Sequence, residues 1–486
     1  MELNDPALLR QQAYIDGTWM NAESGVSFDV TNPVDGSVIG SVPDMGVAET
    51  RRAISAAEAS FPAWSKRNAK ERTHLLRKWM ALIQQHLDDL STIMTIEQGK
   101  PQKEARNEIG TGINILEWYS EEARRVYGDM VPSAATDQRI LVMRQPIGVV
   151  GAITPWNFPH GMIVRKCAPA LAVGCTVVVK PAKATPLSAL ALAVLAERAG
   201  VPKGVLNIVT ALDPASVGGE LASSAVVRKL SFTGSTEVGK LLMRQCADTV
   251  KNVSLELGGN APFIVFDDAE IDSAITGALA SKYRNAGQTC VCANRFFVQD
   301  GIYDEFVARL AKAAAALRIG PGLEAGTEVG PLIDVAALEK VESIVADAVG
   351  KGARLLTGGK RHKRGGNFYE PTVLADAKPG MACMAEEIFG PVAPIVRFST
   401  EDEVIAMAND TRFGLACYFY SRDLGRVWRV SEAVESGVVG INVGSSGNET
   451  APFGGMKESG IGREGGKYAI DEFVELKYVL VGGLDR

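Results

Sequence analysis

Short apolar runs that alternate with stretches of helical periodicity constrain the fold of this chain more than any other feature. From residue 147 onward the runs are bounded by Gly, Pro or Lys, and helical stretches such as residues 162–171 lie between them. Continuous apolar runs are typical of strands buried on both faces, and their alternation with helices predicts βαβ units and a parallel sheet. A second series of this kind follows residue 260. The sequence therefore predicts an α/β protein with two successive α/β domains joined near residues 257–259.

The predicted elements occupy defined ranges of the chain. The first series has strands at 147–153, 176–179, 205–209 and 229–232, and the second has strands at 261–266, 295–298, 393–398 and 438–442. Apolar residues at helical spacing predict helices over 47–58, 69–90, 103–126, 162–171, 187–199, 271–285 and 302–316. Two more strands, 140–143 and 473–481, fall outside both series, and we expect them to form a small β arm suited to oligomer assembly.

The charge balance and the amino terminus narrow the classes of function. Lys and Arg total 51 against 57 Asp and Glu, a formal net charge of −6. This argues against a nucleic-acid partner, because such binders normally carry a basic stripe. The amino terminus does not resemble a secretory signal, and no stretch reaches the ~18 consecutive apolar residues of a membrane span. We expect a cytoplasmic protein with no membrane partner.

The cysteines and histidines predict neither disulfides nor a metal site. The cysteine count of 7 is odd and the spacing is irregular, which does not fit a disulfide framework and indicates a reducing compartment. The 4 histidines are far apart, and the chain contains no Cys-x-x-Cys or His-x-x-x-His pair. No structural metal site is therefore predicted.

Two segments that follow predicted strands are candidates for ligand binding. Gly234 and Ser235 lie at a strand-to-helix junction, where backbone N–H groups can hold a phosphate, although such turns are also common without a ligand. Lys180 and Lys183 follow the strand 176–179, at the end of the sheet where α/β proteins bind ligands. The alternative is that both lysines are solvated, as most lysines are.

A cysteine and a glutamate are candidates for catalysis. Cys290 ends a segment of small and polar residues that would leave its thiol open to a substrate, and reaction would require thiolate character. The alternative is a buried cysteine that acts as a small hydrophobe. Glu256 lies in an apolar, strand-like run, and burial there would raise the pKa of its carboxyl towards the range of a general base. Its alternative is a surface-facing carboxylate on an edge strand.

Several motifs in the right order make the chain resemble the aldehyde dehydrogenase superfamily over nearly its whole length. They are Thr154-Pro-Trp-Asn-Phe-Pro159, Lys180-Pro-Ala182, Phe232-Thr-Gly-Ser-Thr236, Leu255-Glu-Leu-Gly-Gly-Asn260, Gly287-Gln-Thr-Cys290, Glu387-Ile-Phe-Gly-Pro391 and Pro452-Phe-Gly-Gly-Met-Lys-Glu-Ser-Gly460. Within the superfamily, segments 254–267 and 283–294 are most similar to bacterial succinate-semialdehyde dehydrogenases.

The resemblance implies a division of the chain into parts. It implies a Rossmann-like NAD(P)-binding domain at 1–125 and 146–257, an α/β catalytic domain at 258–469, and a β oligomerisation arm at 126–145 and 470–486. Proteins of this family use such an arm in homodimers and homotetramers, so the resemblance implies one of these assemblies.

The resemblance also implies roles for individual residues. Cys290 would be the nucleophile, Asn157 would stabilise the oxyanion together with the Cys290 N–H group, and Glu256 would activate the water that hydrolyses a thioester. Because Glu256 is present, hydrolysis is favoured over transfer to coenzyme A. NAD or NADP would contact Thr154, Pro155, Trp156, Lys180, Ala182, Lys183, Gly234, Ser235, Glu387 and Phe389.

One departure from the family pattern concerns the cofactor. NAD-selective relatives usually carry Glu at the position of Lys183, where a carboxylate binds the ribose hydroxyls and repels a 2′-phosphate. A cation removes that repulsion and can pair with the phosphate. We therefore expect the protein to accept NADP⁺, alongside NAD⁺.

Two arginines define the expected class of substrate. Arg165 and Arg284 match the arginines that hold a distal carboxylate in the semialdehyde enzymes, and two guanidinium groups form an anion clamp. The alternative is a pair of surface arginines in salt bridges. The resemblance predicts a short aldehyde with an anionic tail, such as succinate semialdehyde.

A second departure leaves the tail of the substrate open. Ser445, Ser446 and Gly447 replace an apolar pair and a serine, and His160 replaces a small residue. These changes add hydroxyls, an imidazole and space, which also suits a sulfonate tail and an added hydroxyl, as in sulfolactaldehyde.

Two further questions stay open. Cys292 either forms a reversible disulfide with Cys290 or simply packs, and a non-catalytic binding protein on this fold is disfavoured because Cys290 and Glu256 are both present.

Overall fold

The computed structural model describes residues 2–485; positions 1 and 486, the outermost residues of the predicted cofactor domain and arm, lie outside it. The strands of the described chain are β1 (Ala13–Ile15), β2 (Thr18–Met20), β3 (Ser27–Thr31), β4 (Val38–Pro43), β5 (Asp129–Val131), β6 (Arg139–Pro146), β7 (Val149–Ile153), β8 (Thr176–Lys180), β9 (Leu206–Ile208), β10 (Val227–Thr233), β11 (Asn252–Glu256), β12 (Ala261–Val265), β13 (Ala293–Gln299), β14 (Arg354–Thr357), β15 (Thr372–Ala375), β16 (Val392–Phe398), β17 (Ala416–Tyr420), β18 (Val438–Ile441), β19 (Gly460–Ile461) and β20 (Val474–Val481).

The helices connect these strands. They are α1 (Val47–Ser65), α2 (Ala69–Gln85), α3 (Leu87–Gln98), α4 (Gln102–Glu122), α5 (Gly161–Val173), α6 (Pro186–Arg198), α7 (Pro214–Ser223), α8 (Thr236–Ala247), α9 (Ile271–Lys282), α10 (Tyr303–Ala315), α11 (Val335–Gly350), α12 (Ala382–Ala385), α13 (Glu401–Asn409), α14 (Leu424–Ala433) and α15 (Tyr468–Asp471). Within residues 2–485, no helix combines the length and the apolar character needed to cross a membrane.

The first sheet has eight strands in the order β19-β11-β10-β7-β8-β9-β1-β2. Strands β7 to β11 run parallel, whereas β1 and β19 pair antiparallel with their neighbours. Every residue of β7 and β8 is buried, with α1 and α5 packed against them. This is the parallel sheet that the first series of apolar runs predicts. Because β7, β8 and β10 are parallel, their carboxyl ends lie at the same end of the sheet.

The second sheet has seven strands in the order β14-β15-β16-β13-β12-β17-β18. All of its pairs are parallel except that of β14 with β15. Aromatic rings form its centre, where Phe263 lies 5.0 Å from Phe296 and 5.2 Å from Tyr420 between ring centroids. The predicted strands of the second series are all present, but the sequence pattern does not predict β14, β15 or β17.

A three-stranded sheet in the order β20-β6-β5 projects from the other two. Strand β20 pairs antiparallel with β6 in a register that runs from Val474 opposite Pro146 to Val481 opposite Arg139. The predicted pairing of 140–143 with 473–481 is therefore confirmed. The domain boundaries given above, and the role of this arm in assembly, stay predictions.

Several predicted helices end differently in the structure, and α1, for example, continues to Ser65 past its predicted end at residue 58. The helix predicted over 69–90 is interrupted at His86, which leaves the helical conformation and separates α2 from α3. The helix predicted over 271–285 stops at Lys282, and Asn285 and Ala286 adopt left-handed φ values of 52° and 54° in the turn Arg284–Gly287. This turn redirects the chain towards Cys290.

Candidate active site

A cavity of about 450 Å³ lies where the ends of the first sheet meet loops of the second. It gathers side chains that are remote in sequence, because the β7–α5 loop, helix α4 and the loop before β13 all border it. Among the predicted site residues, those in its lining are Pro155, Trp156, Asn157, Arg165, Gly234, Ser235, Arg284, Cys290, Glu387, Phe389, Ser446 and Gly447.

The Cys290 loop passes close to other backbone segments, which requires glycine at two points. Gly287 has a φ of +77°, and a Cβ atom there would lie 2.2 Å from the Gly390 carbonyl oxygen. A Cβ atom on Gly259 would lie 2.5 Å from the Cys290 carbonyl oxygen. These close approaches fix the half-buried thiol at the cavity wall.

The Cys290 thiol is protonated in its resting environment. Burial raises its pKa to about 12, and the carboxylates of Glu387 and Glu256 act in the same direction, whereas Arg165 and Arg284 favour the thiolate. A thiol nucleophile here must lose its proton as it attacks, so a base or a change in local charge has to accompany the reaction.

Asn157 lies beside the Cys290 loop. It lies in the β7–α5 connection, is 5% exposed, and donates from Nδ2 to the Gln288 carbonyl oxygen at 2.9 Å. Gln288 is two residues before Cys290. The amide is therefore positioned to donate to an oxygen that develops next to the thiol.

Glu256 ends β11 and is 4% exposed. Because β11 is flanked by β10 and β19, the alternative of an exposed edge carboxylate is wrong. Its side chain is absent from the cavity lining, but the next residue, Leu257, is part of it. Burial raises the pKa of Glu256 well above its ordinary value, Glu464 adds to that effect, and Lys166 opposes it. The Oε2 atom has no hydrogen-bond partner among residues 2–485.

A buried ion pair beside Glu256 was not predicted from the sequence. Lys166 on α5 pairs with Glu464 and donates to the Ser231 hydroxyl at 3.1 Å. A lysine within the apolar helix predicted over 162–171 was the available signal, whereas nothing in the sequence near Glu464 indicates its partner. The two members of the pair act on the pKa of Glu256 in opposite directions, and burial has the larger effect.

Both predicted clamp arginines border the cavity. Arg165 is 9% exposed, and its guanidinium carbon lies 4.6 Å from the centre of the Phe453 ring. The Arg284 guanidinium carbon lies 5.6 Å from the centre of the Phe158 ring, and its buried Nε has no acceptor within the described chain. The alternative of surface arginines in salt bridges is not supported, since neither guanidinium forms a salt bridge with another residue of the described chain.

The predicted substrate residues outside this clamp divide into two groups. Ser446 and Gly447 line the cavity, and the Ser446 hydroxyl lies 3.4 Å from that of Tyr418. Ser445 is exposed and outside the lining.

His160 also differs from its prediction. It is 1% exposed and packs on Gly112, where an added Cβ atom would lie 2.4 Å from its Cε1. Burial lowers the pKa of His160 to about 3, so the imidazole is neutral. It lies outside the cavity lining, next to the lining residue Gly161.

The predicted cofactor residues form a cradle at the end of the first sheet. Ser235 begins α8 and accepts from the Val238 N–H group at 3.4 Å, while Trp156 meets Phe389 edge to face at 5.6 Å. The hydroxyls of Thr154 and Thr233 are buried with no partner among residues 2–485. A side chain on Gly234 would collide with Phe232. Open backbone at a helix start and unpaired hydroxyls fit a dinucleotide.

Four predicted cofactor residues, Thr154 among them, lie outside the cavity lining itself. Lys180 is 3% exposed at the end of β8, and burial lowers its pKa to about 8. Ala182 and Lys183 follow in the β8–α6 loop, where Lys183 is exposed. Glu387 accepts from the Gly259 N–H group at 3.0 Å, and burial raises its pKa to about 7. No cluster of metal-ligating side chains is found in the part of the chain that the structure describes.

The first sheet is of the parallel type that binds dinucleotides, and it meets the second sheet at a cavity that holds a thiol, an amide and two guanidinium groups. This arrangement is that of an NAD(P)-dependent oxidoreductase. The sequence model of the aldehyde dehydrogenase family matches residues 19–479, so the chain belongs to that family. It is an aldehyde dehydrogenase, and it uses NAD or NADP.

Several curated relatives are similar over their whole length. The chain is 60% identical over 484 residues to a glutarate-semialdehyde dehydrogenase of Pseudomonas aeruginosa, with 100% of both chains covered. It is 59% identical over 482 residues to the NADP⁺-dependent succinate-semialdehyde dehydrogenase of Escherichia coli, covering 99% of this chain and 100% of that one. It is 57% identical over 486 residues to a 3-sulfolactaldehyde dehydrogenase of Pseudomonas putida, with 100% of both covered.

Solved structures agree with this assignment. An NADP-dependent enzyme of E. coli superposes with a TM-score of 0.98 at 59% identity, covering 99% of this chain and 100% of that one. A betaine aldehyde dehydrogenase of Staphylococcus aureus, solved in complex with NAD⁺, superposes with a TM-score of 0.95 at 36% identity, covering 98% and 95%.

Proposed function

We propose that this enzyme oxidises a short aldehyde with an anionic tail to the corresponding acid. The observation that carries this proposal is the pair of guanidinium groups, Arg165 and Arg284, at the wall of the cavity that holds Cys290. Guanidinium groups bind carboxylates through two parallel hydrogen bonds, so the clamp selects an anion at a fixed distance from the thiol. The semialdehyde substrates named for the relatives carry such a tail.

In the proposed reaction, Cys290 Sγ forms a bond to the aldehyde carbon while its proton is removed. The Asn157 amide and the Cys290 N–H group donate to the resulting oxyanion, and donors of this kind are each worth about 3–4 kcal/mol in other enzymes. When bound, NAD(P)⁺ supplies the two-electron acceptor for the oxidation. The thioester left on Cys290 is then hydrolysed by water that Glu256 deprotonates, which releases the acid and restores the thiol.

Arginine variants and a matched pair of aldehydes test the clamp. We expect Arg165→Met and Arg284→Met each to lower kcat/KM for succinate semialdehyde about 10- to 100-fold, because a hydrogen bond to a charged group is worth about 1.5–3 kcal/mol. Butanal has the same chain length but no carboxylate, so its kcat/KM should change by less than about threefold.

Arg361→Met is the matched control for these variants. Arg361 is half exposed and pairs with Glu342 away from the cavity, so this change should alter neither substrate. Equal losses for succinate semialdehyde and butanal in the clamp variants would contradict an anion clamp.

A sulfonate tail is the second candidate, and the loop after β18 favours it. The Ser446 hydroxyl borders the cavity, and a Cβ atom on Gly447 would meet no atom within 4 Å. This leaves room and a donor for a third oxygen. Sulfolactaldehyde, the substrate named for one relative, carries such a tail. A comparison of kcat/KM for sulfolactaldehyde and succinate semialdehyde separates the two candidates, and a large preference for the carboxylate would exclude the sulfonate.

We also propose that the arm formed by β5, β6 and β20 joins copies of the chain into a homodimer or homotetramer. Strand β20 is an edge strand, and its side chains Leu476, Tyr478 and Leu480 are 65%, 61% and 46% exposed. An apolar face next to an unpaired edge favours pairing with a second copy.

A further inference from the structure

A buried ion pair lies behind the loop that carries Asn157. Lys100, in the connection between α3 and α4, places Nζ 2.6 Å from Glu108 Oε2 on α4, and their side chains are 1% and 4% exposed. Lys100 Nζ also lies 4.2 Å from the centre of the Phe158 ring. Neither residue belongs to the set that the sequence predicted for the site.

Within residues 2–485, the remaining side-chain hydrogen bonds of this pair are with the Asn157 loop. Lys100 Nζ donates to the Asn157 carbonyl oxygen at 2.7 Å. Glu108 Oε1 accepts from the His160 and Gly161 N–H groups at 3.0 and 2.9 Å, which fixes the start of α5. The loop is therefore held at both ends, with the proposed oxyanion donor at one of them.

The Asn157 carbonyl oxygen is also hydrogen-bonded to the Cys290 loop. Asn285 Nδ2 donates to the Asn157 carbonyl oxygen at 3.1 Å, and Gln98 Nε2 donates to Asn285 Oδ1 at 2.9 Å. Lys100 N–H in turn donates to Gln98 Oε1 at 3.0 Å. The Lys100 segment thus joins the loop of Asn157 to the loop of Cys290.

We infer that Lys100, charge-balanced by Glu108, is a positioning residue that holds the Asn157 amide at the oxyanion; this inference rests on the proposed role of Asn157. A charge-assisted hydrogen bond in a buried setting is shorter and stiffer than a neutral one. Because a reacting group displaced by about 1 Å can cost about 100-fold in rate, a stiff anchor on the carbonyl of this residue has a direct effect on catalysis. Lys100 and Glu108 border the cavity, but Lys100 Nζ is held by Glu108 and by the Asn157 carbonyl oxygen, so it acts through the Asn157 backbone.

The test is a double-mutant cycle with butanal as substrate, so that the nature of the anionic tail does not enter. Lys100→Met alone leaves the Glu108 carboxylate buried without a cation and endangers folding. The pair K100M/E108Q removes both charges together and keeps an amide oxygen that accepts from the loop. It is measured with and without Asn157→Ala, and each variant is checked by its thermal midpoint.

We expect K100M/E108Q to lower kcat about tenfold or more and to change KM by less than about threefold, because positioning of an oxyanion donor acts on the transition state. In the N157A background the same pair should lower kcat by less than about twofold, since the group it positions is gone. An equal fall in both backgrounds, an unchanged kcat, or an effect mainly on KM would overturn the inference.

Failure of the proposed function gives a different pattern. If Asn157 has no part in the reaction, N157A keeps the kcat of the parent, and this single variant reveals it independently of Lys100. If the clamp proposal fails, the arginine variants reveal it while the butanal cycle is unaffected. A cycle in which N157A is strongly impaired and K100M/E108Q loses kcat additively contradicts only the positioning role.

Discussion

At the scale of single residues, burial favours the uncharged forms of two acid–base groups in the candidate site. Burial raises the pKa of Cys290 to about 12 and that of Glu256 well above its ordinary value. Two carboxylates near one thiol would repel the thiolate if all were charged. Burial and this repulsion therefore both oppose ionisation of Cys290 and Glu256, which the reaction requires.

The sign of the pH dependence follows from these two shifts. As pH rises, the fractions of Cys290 thiolate and of Glu256 carboxylate both increase, so the steady-state rate should increase from pH 6 to pH 9 as long as the protein stays folded. A rate that falls as pH rises over this interval, in protein shown by circular dichroism to be folded, would contradict the assignment of either group.

Glu256→Gln separates the two half-reactions. Without a carboxylate to deprotonate water, the thioester should form and then persist, so we expect a burst of about one NAD(P)H per active site followed by a steady-state rate lowered about 100- to 10,000-fold. Stopped-flow absorbance measures both phases. Glu305→Gln, at a carboxylate of α10 that is 52% exposed, is the control and should leave both phases unchanged. Loss of the burst itself would assign Glu256 to attack by Cys290 rather than to hydrolysis.

At the scale of secondary-structure elements, the sequence predicted most strands of the two parallel sheets because burial on both faces leaves an uninterrupted apolar run. It did not predict the break at His86, since the helical spacing continues through it. It did not predict the left-handed Asn285 and Ala286 either, because residues other than glycine rarely adopt that conformation. The contact of Lys100 with Asn157 joins elements that only the tertiary fold brings together.

The β8–α6 loop contains the residue that we expect to determine the choice between NAD⁺ and NADP⁺. Lys183 is exposed there, three residues after the buried Lys180. Because a cation attracts a 2′-phosphate and a carboxylate repels it, Lys183→Glu should shift the ratio of kcat/KM for NADP⁺ to that for NAD⁺ towards NAD⁺ by about tenfold or more. Initial rates with each cofactor at saturating aldehyde measure the ratio. Lys183→Gln serves as a control and should give an intermediate shift, and an unchanged ratio in K183E would exclude this residue as a determinant.

At the scale of the whole molecule, overall charge is a poor guide to the site. The chain carries a formal net charge of −6, yet two guanidinium groups, those of Arg165 and Arg284, line the cavity. A pocket with low-dielectric walls concentrates the field of the few charges that line it. The sequence predicted this contrast through the matched arginines, whereas their packing on Phe453 and Phe158 required the fold.

We expect copies of the chain to assemble through the arm formed by β5, β6 and β20. Leu476, Tyr478 and Leu480 alternate along β20 and so lie on one face of the arm, next to an unpaired strand edge. Charges on that face would have to be buried without partners in an oligomer, so the double variant L476E/Y478E should shift the protein to a smaller species. Light scattering coupled to size-exclusion chromatography measures the mass. Leu424→Glu, which charges an apolar side chain of α14 that is 71% exposed, is the control and should keep the parent mass. If L476E/Y478E keeps the parent mass, the interface lies on another surface. If the parent is already monomeric, there is no interface. Either result would contradict assembly through the arm.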